Sequence, residues 1–131
     1  MRVRTHIMFQ GQALAALDLY SRVFDTFKIV VRQLHGSGDE GEIGTLKTAE
    51  IDFQGHQLIF IDSPPVHDFD FTPSTSLFVD LPPDRFDTVY AELSEEGKVM
   101  MPPDDYGFSQ RFVWICDRFG LSWQINVSVN A

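Results

Sequence analysis

The chain has 131 residues, 44% of them hydrophobic and 13% aromatic, which is enough apolar material for one buried core and too much for a disordered chain. Nineteen acidic against ten basic side chains leave a formal charge of −9. That balance disfavours the phosphate neutralisation on which nucleic-acid binding depends and supplies no basic amphipathic helix for a membrane surface, so small or neutral partners are expected.

In chain order, residues 3–9 read as a short strand that stops at Gln10-Gly11-Gln12. From Ala13 to Phe24 the apolar residues Ala13, Leu14, Ala16, Leu17, Tyr20, Val23 and Phe24 recur at helical spacing, giving a helix with one buried face. Residues 27–34 form a second strand, followed by a polar, glycine-rich loop from His35 to Glu42 whose acidic end, Asp39 to Glu42, is expected to be solvated. Residues 45–53 and 57–61 are the next strands, joined by Gln54-Gly55, a tight hairpin signal. A proline-bearing linker at 64–73 follows, and then the order repeats. Residues 76–80 form a strand, and Pro82-Pro83 can open a helix but not sit inside one, which predicts a helix over 84–93 with Phe86, Val89, Tyr90 and Leu93 inward. Strands at 98–101, 110–116 and 121–127 complete the second set, with Asp104-Asp105-Tyr106-Gly107 as a turn.

The last two strands carry both tryptophans and the single cysteine, Cys116, which has no possible intrachain disulfide partner and reads as a buried structural thiol. Asp117-Arg118-Phe119-Gly120 supplies the turn between them. Period-two alternation puts Trp123, Ile125 and Val127 on one face and Ser122, Gln124 and Asn126 on the other. The first triplet suits a core; the second suits solvent or a ligand cavity.

The two halves superimpose at their final hairpins, with Gly55 over Gly120. The repeat of about 65 residues is longer than solenoid units and indicates a duplicated supersecondary module. The expected fold class is therefore α+β, a single domain of two βαβββ modules, residues 1–63 and 74–131. No apolar stretch of signal-peptide length follows Met1-Arg2-Val3-Arg4 and no run of about 18 apolar residues occurs, so a cytoplasmic location is expected.

This plan resembles the vicinal oxygen chelate superfamily, which includes glyoxalases, extradiol dioxygenases and bleomycin-resistance proteins. Three segments are similar to its PhnB-like branch: 8–13 (Met-Phe-Gln-Gly-Gln-Ala), 20–24 (Tyr-Ser-Arg-Val-Phe) and 93–99 (Leu-Ser-Glu-Glu-Gly-Lys-Val). So is the Asp-Arg-Phe-Gly-x-Ser-Trp-Gln run from Asp117 to Gln124. The resemblance implies curved mixed sheets, a ligand cup formed by paired modules, and a homodimer. Some members of that branch are labelled 3-demethylubiquinone-9 3-methyltransferase. No glycine-rich strand-to-helix turn suited to a nucleotide-type cofactor follows any predicted strand, so methyl transfer is not expected.

The superfamily's divalent metal is held by one residue from the first strand and one from the last strand of each module. Carried over, those positions are His6, Ile59, Ser74 or Ser76, and Gln124. Only His6 is an ordinary ligand; Ile59 cannot coordinate, and Ser and Gln bring no charge. No metal and no other cofactor is expected. His56, Asp62, His67, Asp68 and Asp70 crowd one strand and its following loop, but their spacing matches no compact ligand pattern and they read as a solvated acidic segment.

Two functions follow as expectations. One is binding of a small hydrophobic or aromatic molecule by Met8, Ser76, Phe78, Trp114, Ser122, Gln124 and Asn126. The alternative is a superfamily enzyme of lyase, isomerase or dioxygenase type using His6 as base or as ligand, the base standing beside Asp62 with Gln124 and Ser76 fixing the substrate.

Overall fold

The computed structural model describes residues 1–129. The chain divides into two compact units, Met1–Asp68 and Phe69–Ala131. Unit one contains β1 (Thr5–Phe9), α1 (Ala13–Val23), β2 (Phe27–Leu34), β3 (Leu46–Phe53) and β4 (His56–Asp62). Its sheet order is β1-β4-β3-β2, with β1 parallel to β4 and the other neighbours antiparallel. Unit two contains β5 (Ser76–Asp80), α2 (Phe86–Ser94), β6 (Lys98–Asp104), β7 (Arg111–Cys116) and β8 (Ser122–Val127), in the corresponding order β5-β8-β7-β6. The α+β expectation of two βαβββ modules holds.

Helix α1 buries Ala13, Ala16, Leu17, Tyr20 and Val23 and exposes Asp18, Ser21 and Arg22, as its periodicity requires. It ends one residue earlier than expected because Phe24 turns extended, φ −120°, while its N–H still reaches Tyr20 O. Its Tyr20 ring joins Phe9, Phe27, Phe53 and Phe60 in a cluster of tilted or edge-on ring pairs at 5.1 to 6.0 Å, the geometry aromatic quadrupoles prefer. The β3–β4 hairpin turns on Gln54 (φ 52°) and Gly55 (φ 87°). Two successive positive φ values make the turn whose twist matches its strands, and glycine bears the second without a Cβ penalty.

In unit two, the 3-10 turn Pro83–Arg85 precedes α2, so the helix proper starts two residues later than expected. Phe86, Val89 and Leu93 are fully buried as the helix packs on β7 and β8. Strand β6 is longer than its sequence suggested, continuing through Pro102 and Pro103 to Asp104. It is an edge strand with two register shifts, so the missing proline N–H groups break no ladder on its outer side. Among the described residues, no helix is long and apolar enough to cross a membrane.

Candidate functional site

Strand registers in unit two line up three rows across the sheet face opposite Trp123, Ile125 and Val127. Ser76, Ser122, Cys116 and Lys98 form the first, Phe78, Gln124, Trp114 and Met101 the second, and Asp80, Asn126, Phe112 and Asp104 the third. Trp123, Ile125 and Val127 are essentially fully buried, which is the face assignment that alternation predicted.

The opposite face is not simply solvated. Ser122 is fully buried; its hydroxyl accepts Trp114 Nε1–H at 2.8 Å and lies 2.6 Å from Ser76 Oγ and 3.4 Å from Pro73 O. Gln124 Nε2 donates to Ser76 Oγ at 3.2 Å. Using each hydroxyl proton once, Gln124 donates to Ser76, Ser76 to Ser122, and Ser122 to Pro73 O, with Trp114 also donating to Ser122. The Gln124 carbonyl oxygen takes no part in this chain. Beside it, buried Phe112 meets Phe78, Tyr106 and Phe108 at ring distances of 6.3, 5.8 and 5.1 Å, while Phe78 and Phe108 remain 52% and 54% exposed. A donor–acceptor chain thus runs alongside an open aromatic wall.

Cys116 faces Ser122 across the β7–β8 ladder and is half-buried. Burial, and secondarily the charge of Asp117, push its thiol above the ordinary value, so thiolate is scarce at neutral pH. At pH 8, iodoacetamide should alkylate Cys116 at least about threefold more slowly than free cysteine. An equal or faster rate would show a thiol activated in a way this environment does not provide.

The Asp117–Gln124 run proves to be a turn device. Asp117 is buried; Oδ1 accepts the Phe119 and Leu121 N–H groups at 2.9 and 3.1 Å, and Oδ2 accepts Trp123 Nε1–H at 2.9 Å. Gly120 sits at φ 90°. One carboxylate therefore closes the hairpin and locks the core tryptophan. Sequence reading used Asp117 as a turn residue and missed the second task, whose signal was a tryptophan six residues on that needed a buried acceptor.

In unit one, His6 is exposed and lies in a register row with Ile59, Glu50 and Val31; Met8, half-buried, pairs with Ile61. Arg4 Nη1 meets Glu50 Oε1 at 2.8 Å. Asp62 pairs in register with Phe9, so its side chain emerges on the α1 side, opposite His6. There it is 4% exposed; Oδ1 accepts Gly11 and Ala13 N–H at 2.8 and 3.0 Å, and Oδ2 accepts Leu46 N–H at 2.9 Å. The expected pairing of His6 with Asp62 as base and carboxylate is therefore corrected: three residues apart in register, they stand on opposite faces of the sheet. Asp62 instead caps α1, whose own N-cap residue Gln12 makes no side-chain bond. A depression of about 250 Å3 in this unit is lined by Arg2, Arg4, Val30, Glu50, Ile51, Asp52, Gln57 and Leu58, and contains none of the expected site residues.

The registers also reposition the superfamily's metal positions. His6 pairs with Ile59, and the equivalent row in unit two is Phe78 with Gln124, since Leu58 and Trp123 each follow the hairpin glycine by three. The fifth-strand position is thus Phe78, not Ser74 or Ser76. With two hydrocarbon side chains and one neutral amide among four positions, the donor set does not fit a divalent cation. His56 Nε2 lies 3.1 Å from Thr5 Oγ1. Among the described residues no three His, Cys, Asp or Glu side chains converge as a ligand set.

No curated protein matches the chain at a significant level. Among solved structures, it is similar to a PhnB protein from Bacillus cereus that goes under the 3-demethylubiquinone-9 3-methyltransferase name, with 34% identity and a TM-score of 0.91 over 98% of this chain and all of that one. Protein PA1353 from Pseudomonas aeruginosa has the same fold, at 18% identity and a TM-score of 0.85 over 98% of each chain. A glyoxylase/bleomycin resistance protein/dioxygenase domain from Frankia shares it more distantly, at 12% identity and a TM-score of 0.65 over 98% and 97% of the two chains. The family model described as 3-demethylubiquinone-9 3-methyltransferase matches residues 1–126. The two βαβββ modules and these matches together show that the chain belongs to that family, within the PhnB-like branch of the vicinal oxygen chelate superfamily.

Proposed function

We propose that this protein binds a small hydrophobic or aromatic molecule without a metal ion, in the cup of a homodimer. The observation that carries the reading is the chain Gln124–Ser76–Ser122–Trp114 set beside the half-exposed rings of Phe78 and Phe108. Fixed polar groups against an apolar wall are how small-molecule sites orient a ligand. The homodimer part rests on the habit of the superfamily. Methyl transfer is outside the reading: the β1-to-α1 turn holds one glycine, Gly11, and the β5-to-α2 connection none, whereas a nucleotide-type cofactor needs a glycine-rich turn for close backbone approach.

The two indole N–H groups provide the test. In 15N-labelled protein titrated with uncharged aromatics such as phenol, 2-naphthol and 3-ethylindole, the Trp114 signal should shift saturably while the Trp123 signal stays. Gln124→Leu should weaken that binding about tenfold, the worth of one oriented hydrogen bond, and cost about 1 kcal/mol of stability. Shifts at Trp123 alone, or none at either ring, would sink the reading. Sedimentation equilibrium giving a monomer at micromolar concentration would remove the dimer from it.

A further inference from the structure

At the end of the same face, the row Asp80–Asn126–Phe112–Asp104 has a polar group that nothing in the fold uses. Asn126 is 8% exposed, and its Nδ2 donates to Asp80 Oδ1 at 2.9 Å. That bond fixes which way the amide points, since its NH2 must face the carboxylate. The buried Oδ1 is then left without a partner. Buried acceptors are almost always paired, so an orphaned one on a candidate ligand face marks where a donor belongs.

The surroundings select the donor. Asp80 is exposed, and neither Asp80 nor Asp104 takes part in an ion pair among the described residues. Phe78, two residues before Asp80 on β5, presents its ring on the same face and packs on Phe112, the register partner of Asn126. Desolvation first, and the negative charge of Asp104 second, raise the Tyr106 phenol above its usual value. An amide oxygen, an unpaired carboxylate and an aromatic ring all attract an N–H cation. The row that the two aspartates share holds no basic side chain, and Lys98 stands two rows away beside Cys116.

We propose that the ligand is an amine: a protonated nitrogen donates to Asn126 Oδ1 beside the Asp80 carboxylate, and the attached apolar or aromatic body lies over Phe78 and Gln124 toward Trp114. The inference rests on the binding role proposed above and adds the charge and polarity of the ligand. It also gives the surplus negative charge of the chain a local use, because a field of that sign concentrates cations and repels anions.

Three indoles of similar size separate the two ideas: tryptamine (cationic), 3-ethylindole (neutral) and indole-3-acetate (anionic), followed through the Trp114 indole signal in low salt. Tryptamine should bind at least tenfold more tightly than 3-ethylindole, with indole-3-acetate weakest. Asp80→Asn keeps an acceptor for the Asn126 amide and removes the charge. It should bring tryptamine to within about twofold of 3-ethylindole while leaving 3-ethylindole unchanged. Equal binding of the cationic and neutral indoles by the wild-type chain would overturn the amine proposal and leave the aromatic-binding role standing. So would a preference for tryptamine that survives Asp80→Asn. Binding of none of the three indoles or the neutral phenols would overturn both.

Discussion

Replacing Trp123 with alanine should cost about 3–5 kcal/mol, the usual range for emptying a fully buried aromatic site. The side chain is wholly inaccessible; it stands on β8, a strand against which α2 packs, beside its register partner Ile115. Removing it also strips Asp117 Oδ2 of its indole donor, leaving a buried carboxylate oxygen short of a bond. Since a domain of this size is stable by only about 5–15 kcal/mol, the alanine variant could fail to fold at all. Trp123→Phe keeps most of the volume and isolates the hydrogen bond, with an expected loss of about 1.5–3 kcal/mol because the acceptor is a carboxylate. Urea unfolding followed by circular dichroism checks both, with midpoints falling in the order wild type, phenylalanine, alanine. A phenylalanine variant as stable as wild type would mean that Asp117 owes nothing to the indole.

Asp62 should be the second most sensitive position, for a reason unconnected with catalysis. Its two oxygens serve the Gly11, Ala13 and Leu46 N–H groups, tying the start of α1, the end of β4 and the start of β3 together. Asp62→Ala orphans three donors, at about 1–3 kcal/mol for each that stays buried, so a total loss near 3 kcal/mol or more is expected. Asp62→Asn retains one acceptor and points an NH2 at another N–H, and should lose roughly half as much. Hydrogen exchange gives the local readout: the amides of Gly11, Ala13 and Leu46 should lose protection before the rest of unit one. Normal stability and protection in Asp62→Ala would dismiss the bracing role. If aromatic binding is as proposed, Asp62→Asn leaves the Trp114 titration intact, because Asp62 lies in unit one on the helix side of its sheet.

Most of the secondary structure was legible because the signals were local. Strands β2 and β5 have the ends expected from their apolar runs, and the Gln54-Gly55 and Asp117–Gly120 turns lie where residues tolerant of positive φ were found. The exceptions each have a tertiary cause. Strand β6 runs on through two prolines because it lies at a sheet edge. The β2 bulge leaves Val30 67% exposed, which no alternation pattern forecasts.

The site divides along the same line. Alternation along β8 was enough to separate Trp123, Ile125 and Val127 from Ser122, Gln124 and Asn126, since side-chain direction in a strand depends only on residue parity. Which residues stand beside Gln124 depended on register between strands far apart in the chain, and a shift of one residue reverses every pairing. Hence Phe78 rather than Ser76 occupies the position in unit two equivalent to that of His6 in unit one, and Ser76 instead receives the Gln124 amide. Parity also separated His6 from Asp62, but only once the parallel β1–β4 register showed that Asp62 lies beside Phe9. The sequence by itself thus determined the element order, the duplication and, in the main, the buried faces of α1, α2 and β8, all consequences of local periodicity. Only the tertiary structure decided that Asp62 and Asp117 are bracing carboxylates and that Asn126 holds a buried acceptor, because a polar group's role depends on the partners that the fold brings to it.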